Sequence, residues 1–235
     1  MSGKRLAIFF EENVMETPHD RRMVTLNDYE YADLIDDQDK IRMLASPESN
    51  YAKAAANAMG RAMDDAIIAA FNATAKTGKA GTTNTALPAG NVIAHGSAGL
   101  TVAKLISAKK LLDQGSVDPS IRRYIVVSPE QIEDLLNTTS VTSSDFNTVK
   151  ALATGSVTSF VGFDFIVSNR LKDDGTSRQC YAWAEDGMKL AIGKDVEAKI
   201  TERADKSYAT QVYYCASFGA TRMEEAKVIQ VLCNE

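Results

Sequence analysis

The sequence predicts an α+β protein, and three stretches carry that reading. Ser46-Pro47-Glu48 opens a long segment whose apolar residues recur at three- and four-residue steps. From Leu100 onward, short apolar runs alternate with capped helical patterns. The last part of the chain is rich in β-branched and aromatic residues separated by polar turns. Mixed α and β around one sheet is the outcome such a pattern favours.

Taken in order, Leu6-Ala7-Ile8-Phe9-Phe10 reads as a strand, Glu16 to Asp20 as a turn, and Arg21 to Leu26 as a returning strand rich in β-formers. The stretch between Leu26 and the helix reads as irregular. A lone two-stranded ribbon is marginal in water. This hairpin therefore needs a surface to lie against, and a neighbouring copy of the chain would serve. At the helix start, Ser46 is placed to cap, Pro47 to occupy the first helical position, and Glu48 to oppose the helix dipole. The helix runs through about Ala75, with Ala52, Ala55, Ala56, Met59, Met63, Ile67, Ala70, Phe71 and Thr74 on one stripe. That makes a rod of roughly 40 Å. Thr77 to Ser97, rich in Gly, Thr, Ala and Asn, reads as a long loop or thin hairpin.

Thr101 caps a second helix through Asp113, with Val102, Leu105, Ile106 and Leu112 inward and Gly115 ending it. Arg123 to Val127 is a short apolar strand that passes at once into Ser128-Pro129-Glu130, opening a helix to about Leu136. A third helix of this group is expected near Asp145 to Ala153. Phe160 to Val167 reads as one bent strand with a kink or bulge at Gly162. Tyr181 to Ala184 and Met188 to Ile192 flank the turn Glu185-Asp186-Gly187. Glu197 to Thr201 and Thr210 to Tyr214 predict two long strands joined by polar Glu202 to Ser207, and Val228 to Leu232 a closing strand.

Composition narrows the function. With 235 residues, 45% of them apolar and 24% charged, the chain can bury one sizeable core or two small ones. No apolar run approaches the ~20 residues needed to cross a bilayer. Leu6 to Phe10 is cut short by Glu11 and Glu12, unlike a signal peptide, so the chain is expected to stay in the cytoplasm of the cell that makes it. A net charge of −5 argues against a basic groove that grips nucleic acid. It is compatible with a wall that encloses packaged DNA and lets it slide. Cys180, Cys215 and Cys233 are far apart and odd in number, which fits reduced thiols better than zinc ligands.

Motifs for chemistry fail on inspection. Gly78-Lys79 lacks the spacing of a phosphate-binding loop. The acidic cluster Asp33, Asp36, Asp37 and Asp39 lacks the glycine turn of a calcium loop, leaving a solvated face or an intersubunit ion pair. His19 and His95 sit in polar or glycine-rich surroundings without a nucleophile motif. No cofactor, metal ligand set or catalytic residue is singled out, and an enzyme is the weaker alternative.

Several stretches, in order over nearly the whole chain, resemble the major capsid proteins of tailed bacteriophages, which share the Hong Kong 97-type fold. They are Arg21 to Val24 with Tyr29 to Leu34 and Asp36-Asp37-Gln38-Asp39; Tyr124 to Leu136; Val161 to Phe165 with Ser168-Asn169-Arg170; Tyr181-Ala182-Trp183; and Gly219 to Arg222. The resemblance implies residues 1–44 as a short N-terminus and E-loop reaching over a neighbour. It implies residues 45–98 and 191–222 as the peripheral P-domain, with a spine helix at 46–75, and residues 99–190 and 223–235 as the axial A-domain. A relative of this kind usually carries an arm ahead of the E-loop, whereas here the ribbon starts close to residue 1.

The function implied is an icosahedral shell subunit that encloses double-stranded DNA. Its first partner would be itself, in hexamers and pentamers, with scaffolding, portal and decoration proteins as further candidates and no membrane. It would be assembled in the host cytoplasm and reside in the virion. The nearest alternative is an encapsulin-like compartment; a tail or decoration protein fits the composition but not the ordered resemblance. Intersubunit contact is expected where Arg21 and Arg22 meet acids of an adjacent copy, with Asp36, Asp37 and Asp39 as the candidates.

Overall fold

The computed structural model describes residues 21–36, 47–137 and 159–235, and its strands form three sheets within that range. Helix α1 (Pro47–Asn72) starts at the proline that the sequence marks. Its Met59 packs with Ala216 and Phe218 on one sheet, whereas Ile68 and Phe71 enter a second core beneath another. One rod of ~40 Å thus joins two cores. The predicted stripe holds at Ala55, Met59, Ala70 and Phe71, all buried, while Ala56 faces solvent.

Strand β1 (Arg22–Met23) pairs antiparallel with β3 (Ala75–Thr77), which turns back on β4 (Thr83–Thr85) as the thin hairpin anticipated from Thr77 onward. Among the described residues, the partner of the Arg21–Leu26 stretch is therefore Lys76 and Thr77. Leu6 to Phe10, the expected ribbon mate, lies outside the described residues. Strand β2 (Asn27–Ile35) corrects the expectation of irregular chain. It pairs along its full length with β11 (Ala209–Arg222) because Tyr29, Tyr31, Asp33 and Ile35 alternate inward. Tyr29 stacks on Phe218 at 4.3 Å between ring centres.

Beyond β11 lies β10 (Met188–Arg203), giving the sheet order β10-β11-β2. Met188 to Ile192 and Glu197 to Thr201, which read as separate strands in the sequence, are one strand whose register shifts twice between Ile192 and Glu197. The extra residues are absorbed as bulges, so pairing to β11 resumes after each interruption. The polar connection at Glu202 to Ser207 is the expected turn between two long strands.

The six-stranded sheet has the order β5-β12-β9-β6-β8-β7. It comprises β5 (Val92–Ile93), β6 (Arg123–Val127), β7 (Ser159–Phe160), β8 (Phe163–Val167), β9 (Ser177–Ala184) and β12 (Val228–Asn234). The predicted bent strand is instead a tight hairpin, with Phe160 opposite Phe163. Val161 and Gly162 form its turn at φ 54° and 85°, the paired left-handed conformation that matches the twist of flanking strands. The expected helix near Asp145 to Ala153 lies outside the described residues.

Helix layers cover both faces of this sheet. Phe71 of α1 stacks on Tyr181 at 4.8 Å and meets Trp183 at the same distance, on one face of β9. On the opposite face lie α2 (Val102–Gln114) and α3 (Pro129–Asn137), with Gln131 against Cys180. The Thr101 hydroxyl caps α2 at the Lys104 amide, 3.3 Å away, and Gly115 ends the helix, as the sequence predicts. Ile106 does not turn inward: it is 55% exposed, because Lys104, Leu105, Ala108 and Leu112 define the buried face and put Ile106 on the far side. The Lys104 ammonium donates to the carbonyls of Ala98, Gly99 and Leu232 at 2.6–3.0 Å, so this buried cation staples the loop before α2 to β12.

Candidate intersubunit surface

The residues singled out for contact between subunits occupy three situations. Arg21 is exposed ahead of β1. Asp36 is exposed just past the end of β2, and Asp37 and Asp39 lie outside the described residues. Asp36 follows Ile35, which pairs with Thr210 at one end of β11, whereas Arg21 precedes Arg22, which sits on Glu225 past the other end, so Arg21 and Asp36 do not meet within one copy. Arg22, expected to meet an acid of an adjacent copy, is paired within its own chain. Its guanidinium makes a two-pronged pair with Glu225 of the same chain at 2.8 and 2.7 Å, and only 8% of the side chain is exposed. The physical reason is the β1–β3 pairing, which brings Arg22 to the end of β11.

At that point a second arginine converges. Arg222 is fully buried and donates to the carbonyls of Phe71, Ala73 and Thr85 at 2.6, 2.8 and 3.1 Å. These acceptors include the open C-terminal end of α1, where carbonyls have no intrahelical partner. Its Nε stands 3.9 Å from Glu225. Burial lowers the Arg222 pKa, an effect that Glu225 opposes and Arg22 reinforces. The sequence offered Arg222 only as one letter of a resemblance and offered no signal for Glu225, which sits 203 residues from Arg22.

Exposed apolar side chains form the other feature. Leu190, Ile192 and Ile200 of β10 are exposed opposite Ala220, Phe218 and Val212 in register, so they share the face on which α1 lies. Helix α1 packs mainly over β11 and leaves this row uncovered. Among the described residues, strand β10 is also the outer strand of its sheet. Exposed aliphatic rows beside an unpaired strand edge mark surfaces that other chains cover. Tyr208, 63% exposed, stands at the tip of the β10–β11 hairpin.

Among the described residues no three His, Cys, Asp or Glu groups are gathered to hold a metal. A groove of about 800 Å³ between α2 and the β7–β8 turn carries Arg122 and Arg123, but they pair with Asp164 and Asp113. His95 accepts the Ser97 amide in a local turn. All three cysteines are buried free thiols.

The fold matches solved capsid structures. The capsid of cyanophage P-SCSP1u aligns with a TM-score of 0.70 at 17% identity, covering 99% of this chain and 81% of that one. A chain of Mycobacterium phage Che8 aligns at 0.68 and 19% identity, covering 87% and 70%. The capsid of cyanophage Pam1 aligns at 0.64 and 14% identity, covering 100% and 82%. None of the curated proteins matches the sequence. The family model described as phage capsid protein matches residues 11–235, so the chain belongs to the phage capsid protein family and is a major capsid protein of the Hong Kong 97-type fold.

Proposed function

We propose that the chain self-assembles into hexamers and pentamers of an icosahedral tailed-phage shell that encloses double-stranded DNA without sequence-specific binding. The observation that carries this reading is the exposed aliphatic row on β10, which is the edge strand of its sheet among the described residues, within a chain of the phage capsid family. In this reading β2, α1 and the β10–β11 hairpin build the P-domain, with α1 as its spine. The six-stranded sheet with α2 and α3 is the A-domain that meets its copies at the symmetry axes. The expected E-loop, residues 1–44, is shortened in this reading, because β2 pairs with β11 of the same chain, and the part up to about Leu26 reaches a neighbour. The subunit carries out no catalysis. It assembles in the host cytoplasm and works with scaffolding, portal and decoration proteins. Moderate interfaces, multiplied by closure, supply the stability of the shell.

Arg21 remains the cation offered to a neighbour, with Asp36, Asp37 and Asp39 as its acceptors; Arg22 is committed within the chain. The first test is electron microscopy and light scattering of the purified protein, alone and with a scaffold. Closed shells or rings of five and six are expected, with nuclease-protected DNA after infection. A protein that stays monomeric under both conditions contradicts the proposal. At the residue level, Arg21→Glu should lower shell yield while leaving the subunit melting temperature in place. A normal yield from that variant removes Arg21 from the interface.

A further inference from the structure

We infer that Arg22, Glu225 and Gly219 form a positioning site that fixes the direction in which the chain runs toward residues 1–20. The inference rests on the shell reading, in which that segment engages a neighbouring subunit.

Residues 21–26 contribute little to either core. Arg21, Met23, Thr25 and Leu26 are exposed, and neither hydrophobic cluster includes any residue of the segment. Ordering an exposed backbone costs about 1–2 kcal/mol per residue, so this segment needs an identifiable cause of order. Three independent constraints supply it. First, the backbone of Arg22 and Met23 pairs with Thr77 and Lys76. Second, the Arg22 guanidinium grips both carboxylate oxygens of Glu225. Third, Gly219 lies against the carbonyl of Thr25, so closely that a Cβ there would overlap backbone, with Val24 alongside.

The carboxylate that receives Arg22 is itself fixed. The Glu225 carbonyl accepts a hydrogen bond from the Asn91 amide at 2.6 Å, and its side chain also faces buried Arg222. One acid thus stands between two guanidiniums, and the buried Nε atoms of both arginines find no acceptor among the described residues. With cations in excess at this junction, neutralising Glu225 removes the grip on Arg22 and leaves two guanidiniums facing each other. Arg222 keeps its three carbonyls and holds the end of α1 in place. The consequence is local: the exit path of the segment loosens while the cores stay packed. A residue whose only role was subunit stability would not act in this way.

The test uses the full chain carrying Glu225→Gln, Glu225→Asp or Gly219→Ala, beside the wild type. Three quantities are read: subunit unfolding, hydrogen exchange at residues 22–25 and 75–77, and the yield and regularity of assembled shells. For Glu225→Gln and Gly219→Ala, exchange in these two stretches should rise about tenfold or more with the rest of the protein unchanged. Regular shells should then give way to irregular or open assemblies. Glu225→Asp should restore much of the wild-type behaviour. Unchanged local exchange in both variants overturns the inference, as does global unfolding of both or regular shells at wild-type yield. If the wild type itself makes no shells, the shell reading fails separately, and local exchange still decides whether the segment is held at this site.

Discussion

Arg222 and Glu235 show how single side chains close the ends of elements in this protein. The Arg222 guanidinium donates to the carbonyls of Phe71 at the end of α1, of Ala73 just past it and of Thr85, a task that needs several donors in a rigid plane. Arg222→Met should cost about 3–5 kcal/mol, because the carbonyls of Phe71, Ala73 and Thr85 lose a charged donor held in a buried position. Denaturant unfolding of the isolated subunit measures it, and a loss below about 1 kcal/mol contradicts this account. Glu235 ends β12 in a polar nest. It pairs with Arg178 and accepts hydrogen bonds from Ser128 and Gln131 at 2.8 and 3.0 Å. Arg178 first, then Gln131 and Ser128, hold its carboxyl down at about 2, against an ordinary value of 4.5. A depressed carboxylate stabilises the fold above its unfolded pKa, and that gain is lost as pH falls through the folded one. Stability should therefore decline between about pH 4.5 and 2, and Glu235→Gln should flatten this part of the acid limb in pH-dependent melting.

At the scale of elements, α1 and the β7–β8 hairpin make opposite points. Helix α1 is held by two cores, so its alanine- and methionine-rich stripe lets the sheet approach closely at one end while Phe71 fills space at the other. The hairpin turn, by contrast, contains a conformational cost. Val161 is β-branched yet adopts φ 54°, a left-handed conformation that suits Gly, Asn or Asp. Val161→Asn should stabilise the subunit by about 0.5–1 kcal/mol, provided that the partly buried Val161 side chain contributes less packing than the strain costs. A rise in melting temperature is the expected reading; a fall means that its packing against the core outweighs the strain. The same turn explains why the sequence of this stretch reads as a bulge. Gly162 signals a departure from a straight strand, but a valine before it conceals a two-residue reversal.

At the scale of the whole molecule, the described residues leave the aliphatic row Leu190, Ile192 and Ile200 exposed on β10. Ile192→Asp together with Ile200→Asp should leave unfolding of the subunit within about 0.5 kcal/mol of wild type, since both side chains are about half exposed. Shell assembly, monitored by sedimentation, should be strongly reduced. Assembly at the wild-type rate would show that β10 faces solvent in the particle. These residues are legible in the sequence as strand formers but not as an outward row, because facing is decided by where α1 lies over the sheet.

What the sequence determined by itself was local and periodic. Proline at the start of α1, the Thr101 cap and Gly115 stop of α2, the apolar strands at Arg123–Val127 and Val228 to Leu232, and the loop or thin hairpin from Thr77, observed as Ala75–Thr85, all come from short-range chemistry. The ordered resemblance to capsid proteins rests on short stretches too, of which Tyr124 to Leu136 overlaps these. Only the tertiary structure decided the β2–β11 pairing, the continuity of β10, the outward turn of Ile106 and the seat of Arg22 on Glu225. Each depends on contacts between residues far apart in the chain. Strand pairing and charge pairing at such separations are selected by the packing of whole elements, and no local pattern around Arg22 encodes a partner 203 residues away.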